Sequence, residues 1–136
     1  MKDDFLWVEK YRPTHIEHCI LPKDIKDTFQ SFVKKGEVPN LLLCGTAGIG
    51  KTTIAKALCN EIGVDSYMIN GSDEGRFLDT VRNSAKQFAS TVSLTSSSKH
   101  KVIIIDEADN TTHDVQLLLR ASIEEFQNNC RFIFTC

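Results

Sequence analysis

The chain has 136 residues, a quarter of them charged, with 16 Lys and Arg against 18 Asp and Glu and a net charge of −2. This length fits one domain or part of one, with enough apolar residues for a core. Because the net charge is close to zero, the chain as a whole does not attract nucleic acid. Any contact with nucleic acid therefore needs a local patch of positive charge.

The cysteines form no Cys-x-x-Cys pair, and the four histidines are scattered; the five cysteines are Cys19, Cys44, Cys59, Cys130 and Cys136. This usage favours packed thiols in a reducing compartment over a disulfide framework or a zinc site. The sequence shows no signal peptide and no apolar stretch long enough to cross a membrane. We therefore expect a cytoplasmic protein with no membrane partner.

Residues 1–20 form a mixed segment in which Pro13 biases Arg12 toward an extended conformation. A frayed terminus is the alternative, but it would leave several large apolar side chains in water. We interpret the segment as an irregular strap, followed from residue 21 by the core. The core opens with a helix from Leu21-Pro22 to about Gly36, whose apolar face holds Ile25, Phe29, Phe32 and Val33.

Strands and helices alternate along the rest of the chain. Apolar runs predict strands at 41–44 (short and buried), 66–70, 102–105 and 131–135, and helical spacing predicts helices at 53–62, from the turn at 71–73 to about 89, and at 113–126. The polar stretch 90–99 is typical of a surface loop. This order predicts an α/β fold, a parallel sheet covered by helices on both faces. Because the chain stops after the fourth strand, we expect a fragment of a longer protein.

A glycine-rich segment joins the first strand to the next helix: Gly45-Thr46-Ala47-Gly48-Ile49-Gly50-Lys51-Thr52, followed by Thr53. Strand, glycine loop, Gly-Lys-Thr and helix is the context of a phosphate-binding P-loop. Its glycines let backbone amides point inward at phosphate oxygens, and the helix adds its positive end. Lys51 would contact the outer phosphates and Thr52 would offer a hydroxyl to magnesium. The alternative is an ordinary glycine-rich turn that caps a helix.

Two acids, Asp106 and Glu107, follow the third strand. Ligands of open parallel sheets bind outside the carboxyl ends of the strands, which places both carboxylates near the phosphates. Asp106 would hold magnesium and Glu107 would act as general base toward water, which favours hydrolysis over transfer to a small acceptor. The alternative is a solvated acidic pair after a strand.

The letters of residues 106–109, Asp-Glu-Ala-Asp, also occur in DEAD-box RNA helicases. We interpret this match as coincidence, because the stretch between Lys51 and Asp106 is short and lacks the further RNA-binding motifs of those helicases.

Several segments together carry a family resemblance: Trp7 to Pro13, Gly45 to Thr52, Asn70 to Asp73, Ile105 to Asp109, and Arg131 to Thr135. On these motifs the chain resembles sliding-clamp loader ATPases of the replication factor C type, within the AAA+ superfamily of P-loop NTPases. The segments Cys19 to Pro22 and Ala55 to Cys59 add a narrower resemblance to the large subunit of T-even-like phage clamp loaders.

The resemblance implies ATP and Mg²⁺ as cofactors, with hydrolysis used to load a ring-shaped clamp onto primer-template DNA. The implied partners are other loader subunits, the clamp and DNA, in the host cytoplasm if the protein is viral. The implied base pocket holds Val8, Glu9, Lys10, Tyr11, Arg12 and Ile20, and the implied phosphate site holds Gly48 to Thr53.

The resemblance also implies that Gln116 links DNA contact to the catalytic Glu107, and that Arg82 and Lys86 grip the DNA backbone. A solvated charged face is the alternative for Arg82 and Lys86. Two other functions remain open, a non-hydrolytic structural subunit and a helicase-loader or initiator ATPase. The family's sensor asparagine, arginine finger, lid and collar would follow Cys136, so we expect the isolated fragment to hydrolyse ATP negligibly.

Overall fold

A computed structural model describes residues 12–45, 50–72, 74–91 and 100–136. Several sequence predictions lie outside these ranges. They are the base-pocket residues Val8, Glu9, Lys10 and Tyr11, the loop residues Thr46, Ala47, Gly48 and Ile49, the turn residue Asp73, and residues 92–99 of the polar loop predicted at 90–99.

Four parallel strands form one sheet in the order β1-β4-β3-β2. The strands are β1 (Leu41–Leu43), β2 (Ser66–Asn70), β3 (Lys101–Asp106) and β4 (Cys130–Thr135). The predicted strands are therefore confirmed to within one residue at each end. The last strand lies between β1 and β3, in register with Ile133 opposite both Leu41 and Ile104.

The apolar run before the glycine loop does not form a buried strand. Among the described residues β1 pairs only with β4, and the side chain of Leu42 is 65% exposed. The prediction of a buried strand at 41–44 is wrong in this respect. A run of leucines indicates a strand, but it does not show whether that strand lies at the centre or the edge of the sheet.

Helices cover both faces of the sheet, as predicted. They are α1 (Lys23–Lys35), α2 (Lys51–Ile62), α3 (Glu74–Asp79), a π-helical segment (Thr80–Ala85), α4 (Lys86–Ser90) and α5 (His113–Glu125). Alternate residues of β3 serve two cores. Val102 and Ile104 pack with α1 and α2, whereas Ile103 and Ile105 pack with α5 and the segment from α3 to α4.

The predicted helix boundaries follow from local chemistry. Gly36 and Gly63 adopt left-handed conformations (φ 70° and 82°) at the ends of α1 and α2, where a residue with a Cβ would be strained. The apolar face of α1 is buried at Phe29, but Ile25 is 42% exposed, so the first turn projects beyond the core. No helix in the described part of the chain is long and apolar enough to cross a membrane.

Candidate functional site

The candidate site is a pocket at the carboxyl edge of the sheet. Its cavity volume is about 340 Å³, and its lining comprises Gly45, Lys51, Thr52, Asp106, Glu107, Asp109, Asn110, Thr135 and Cys136. The parallel register brings the ends of β1, β3 and β4 together here, and α2 begins at the same edge after Gly50 (φ 86°). A helix N-terminus favours a negatively charged ligand at that position.

The ammonium group of Lys51 lies across this pocket. Its Nζ donates hydrogen bonds to the carbonyl oxygens of Gly45 and Cys136, each at 2.6 Å. These carbonyls fix the lysine between the ends of β1 and β4. Phosphate oxygens bound in the pocket would be alternative acceptors for this ammonium group, which fits the predicted role of Lys51.

Thr52 and Asp106 are brought into direct contact. The Thr52 hydroxyl donates to Oδ1 of Asp106 at 2.8 Å, although the two residues are 54 positions apart. A hydroxyl and a carboxylate are the hard oxygen ligands that magnesium prefers, and the ion usually takes few protein ligands. This pair of oxygen ligands therefore fits the predicted magnesium site.

Glu107 has an unusual backbone. It adopts φ 54° and ψ 47°, the left-handed region, and it is the one described residue other than glycine with a positive φ. Its side chain is exposed and lines the pocket. Such conformations cost roughly 1–2 kcal/mol and persist where surrounding contacts enforce them, often at functional sites.

Two residues that the sequence analysis did not single out support these acids. The buried Thr135 hydroxyl donates to Oδ1 of Asp106 at 2.5 Å and accepts from the Glu107 amide at 3.1 Å. The Gly71 amide donates to the Asp106 carbonyl at 2.7 Å, and a Cβ on Gly71 would lie 2.7 Å from the Glu107 carbonyl oxygen. The position of Thr135 at the end of a parallel strand was the available signal.

Other predicted residues do not line this pocket. Thr53 is half-buried in the first turn of α2, Arg12 is half-buried, and Ile20 is fully exposed. Gln116 is exposed on the first turn of α5. None of them is among the described residues that line the pocket.

The predicted DNA-contact residues are also absent from the pocket lining. Arg82 is exposed in the π-helical segment, and Lys86 is exposed at the start of α4. The Lys86 ammonium lies 3.5 Å from a carboxylate oxygen of Glu125 on α5, so it already has an anionic neighbour.

The cysteines fall into two groups. Burial raises the pKa of Cys59 to about 12 and that of Cys130 to about 11, and it also raises the pKa of Cys19, so these thiols stay protonated and serve packing. Cys44 and Cys136 lie instead at the edge that holds the pocket. Their sulfur atoms are 2.7 Å apart.

A parallel sheet with helices on both faces, a glycine-rich sequence before a helix that begins with Lys-Thr, and a Thr–Asp pair together define a P-loop nucleotide-binding domain. The chain belongs to the ATPase family associated with various cellular activities (AAA), whose family model matches residues 41–136.

A similar fold occurs in the RuvB Holliday junction branch migration motor of Thermotoga maritima, at a TM-score of 0.68 and 23% identity. That match covers 91% of this chain and 41% of RuvB.

Curated relatives have higher sequence identity. The chain is 45% identical over 136 residues to the replication factor C small subunit of Methanoculleus marisnigri, which covers 96% of this chain and 42% of that protein. It is 45% identical over 129 residues to the sliding-clamp-loader large subunit of Escherichia phage RB69, covering 93% of this chain and 39% of that protein. The chain thus spans about two-fifths of the length of these relatives (42% and 39%).

Proposed function

We propose that this chain carries the nucleotide site of an ATP-hydrolysing subunit of a sliding-clamp loader. The observation that carries the proposal is the contact between Thr52 and Asp106 at 2.8 Å beside the N-terminus of α2. Identity of 40–45% to replication factor C small subunits and a phage clamp-loader large subunit supports the assignment to clamp loading.

The residues of the pocket would divide the work as follows. Lys51 and the amides at the start of α2 would hold the phosphates of ATP. Thr52 and Asp106 would hold Mg²⁺, which neutralises charge on the phosphates when it is bound. Glu107, exposed to the pocket, would accept a proton from the attacking water.

The base of the nucleotide would lie against the strap. We assign Val8, Glu9, Lys10, Tyr11 and Arg12 to this contact, following the resemblance to clamp loaders. Ile20 would form an apolar wall, and its complete exposure supports this part of the proposal. A purine placed over Ile20 would remove apolar surface from water, which favours binding.

DNA contact is assigned to the exposed face that carries Arg82 and Lys86. Contacts from such side chains to phosphates position a duplex without reading its sequence, which suits a loader that acts on any primer. Gln116, exposed at the start of α5, would relay this contact toward Glu107. The ion pair of Lys86 with Glu125 predicts that Arg82 contributes more to binding than Lys86 does.

Two other functions are compatible with a P-loop site. A non-hydrolytic structural subunit would bind the nucleotide without turnover, and a helicase-loader or initiator ATPase would hydrolyse ATP without responding to a clamp. The presence of Glu107 beside Asp106 favours hydrolysis. The match of nearly the whole chain to clamp-loader subunits favours a clamp as partner.

The test uses the full-length protein with its partner subunits. We expect the Glu107→Gln variant to retain ATP binding and to lose turnover by at least about 100-fold, because the general base is removed. Glu124→Gln changes an exposed acid of α5 outside the pocket lining and serves as the matched control.

Steady-state ATPase assays with clamp and primed DNA separate the alternatives. Turnover that rises with both ligands supports the proposal. Binding of ATP without any turnover in the wild-type complex would favour the structural subunit, and turnover that ignores the clamp would favour a helicase loader or initiator.

A further inference from the structure

Thr135 connects the carboxylate of Asp106 to the backbone amide of Glu107 through a single hydroxyl. Its Oγ1 donates to Oδ1 of Asp106 at 2.5 Å and accepts from the backbone N–H of Glu107 at 3.1 Å. The side chain is 2% exposed, so water cannot replace either contact at low cost. Both hydrogen-bonding functions of one hydroxyl are therefore used.

The contact with Asp106 fixes the orientation of the metal-binding carboxylate. Oδ1 of Asp106 accepts from Thr135 on β4 and from Thr52 on α2, so the carboxylate is oriented from two elements. If the Thr52 oxygen binds magnesium, Thr135 is the partner that keeps this carboxylate in place. Partners of this kind, which orient a ligand without touching the metal, typically change metal affinity or activity by about 10- to 100-fold when removed.

The contact with Glu107 fixes a strained backbone. Glu107 occupies the left-handed region, and its amide is held by Thr135 while its carbonyl accepts from the Asn110 amide at 3.1 Å. Because the peptide is held on both sides of its Cα, the direction of the Cα–Cβ bond is set. That direction determines where the Glu107 carboxylate can reach in the pocket.

We propose that Thr135 is a positioning residue that aligns the Asp106 and Glu107 carboxylates with each other for ATP hydrolysis. The proposal deepens the ATPase function proposed above and rests on it. Thr135 would not touch the nucleotide or the metal. Its hydroxyl would hold the magnesium ligand and the general base in one fixed geometry, so that a water molecule activated by Glu107 faces the phosphate that Asp106 helps to orient.

The first test compares Thr135→Val, Thr135→Ser and Thr111→Val in the full-length protein with its partner subunits. Valine keeps the shape but leaves the Glu107 amide and Asp106 without this partner, whereas serine keeps the hydroxyl. Thr111→Val removes a hydroxyl that donates to the Ala108 carbonyl in the same turn.

We expect the kcat of Thr135→Val to fall about 100-fold with an almost unchanged KM for ATP, because misplacement of a catalytic group by about 1 Å has an effect of this size. Thr135→Ser and Thr111→Val should keep kcat near the wild-type value. Equal losses in the valine and serine variants at position 135, or a loss confined to KM, would overturn the proposal.

The second test is amide hydrogen exchange at Glu107, which does not require turnover. The Glu107 amide should be protected in the wild-type and Thr135→Ser proteins and lose protection in Thr135→Val. Rapid exchange of this amide in the wild-type protein would overturn the inference, even if the valine variant does not fold. If wild-type turnover is absent but this protection pattern holds, the ATPase proposal fails while the hydrogen-bonding role of Thr135 stands.

Discussion

Oγ1 of Thr52 lies 2.8 Å from Oδ1 of Asp106, and this contact joins the first turn of α2 to the end of the central strand β3. Both residues line a pocket that Lys51 also lines. A cation site and an anion site therefore meet at one edge of the sheet, which is the arrangement needed for a metal-bound polyphosphate.

The first prediction concerns the Thr52 hydroxyl. We expect Thr52→Val to raise the Mg²⁺ concentration needed for ATP binding by about 10- to 100-fold, the range for loss of a group that supports a metal. Thr52→Ser keeps the hydroxyl and should stay close to wild type. Nucleotide titrations at a series of Mg²⁺ concentrations measure the effect, and the same requirement in both variants would contradict the role of Thr52.

The second prediction concerns Gly71. A Cβ there would lie 2.7 Å from the Glu107 carbonyl oxygen and 3.0 Å from that of Asp106, so Gly71→Ala must displace the acidic turn. We expect a loss of about 1–3 kcal/mol in stability, typical of an overpacked site, and a clear fall in kcat.

Gly36→Ala is the control for Gly71→Ala. Gly36 has φ 70°, so alanine there would be strained, although open space surrounds the position. Gly36 lies at the end of α1 and does not line the pocket. Thermal unfolding and ATPase assays should show lower stability in both variants and lower kcat only in Gly71→Ala. Normal turnover in Gly71→Ala would mean that the turn tolerates displacement.

Much of this architecture could be predicted because its causes are local. Apolar runs produced the strands, and Gly36 and Gly63 ended helices where a left-handed residue was needed. The pocket followed from one non-local rule, that parallel strands present their carboxyl ends at one edge. That rule predicts that Lys51 and Asp106 lie at the same edge, and both line the pocket.

The features that could not be predicted depend on tertiary pairing. The position of β1 at the edge of the described sheet leaves Leu42 exposed. The sequence Leu41-Leu42-Leu43 does not indicate which of the three leucines is exposed. The left-handed backbone of Glu107 and its bond to Thr135 arise from packing between β3, β4 and the turn at Gly71. No local pattern distinguishes Thr135 from any other threonine at a strand end.

The third prediction concerns Cys44 and Cys136, which directly follow the neighbouring strands β1 and β4. Cys136 donates its amide to Leu43 and accepts from the amide of Gly45, so the register of β1 and β4 continues through this pair. Adjacent strands lie about 4.8 Å apart, which is compatible with a disulfide. We expect diamide to oxidise the two thiols to a disulfide, the reagent taking up two protons and two electrons.

The pH dependence of this cross-link follows from the thiol chemistry. The hydrogen bond with Cys44, together with burial and the charge of Asp109, raises the pKa of Cys136, so its reactive thiolate becomes more abundant only as the pH rises above the usual thiol range. Cross-linking should therefore accelerate with pH. Peptide mapping measures it, Cys44→Ser is the control, and a diamide-treated protein without the 44–136 linkage would contradict the geometry.

The fourth prediction concerns the buried His100, whose Nε2 accepts a hydrogen bond from the Val38 amide at 3.1 Å. Burial, and then the charge of Arg131, lowers the pKa of His100, while Glu37 opposes this shift. The folded state thus binds a proton less readily than the unfolded state, whose histidine pKa is about 6.5. The resulting stability is present above about pH 6.5 and is lost as the pH falls toward the folded-state pKa, because protonation removes the acceptor for Val38.

NMR titration of the full-length protein should give His100 a pKa below the usual histidine value of about 6.5. Thermal unfolding should show that stability decreases from pH 7.5 to pH 5, and that His100→Gln, which cannot titrate, has a weaker dependence over the same range. His113→Gln, which replaces an exposed histidine on the first turn of α5, is the matched control. A His100→Gln variant that loses stability with acid as steeply as the wild type would show that other groups control this transition.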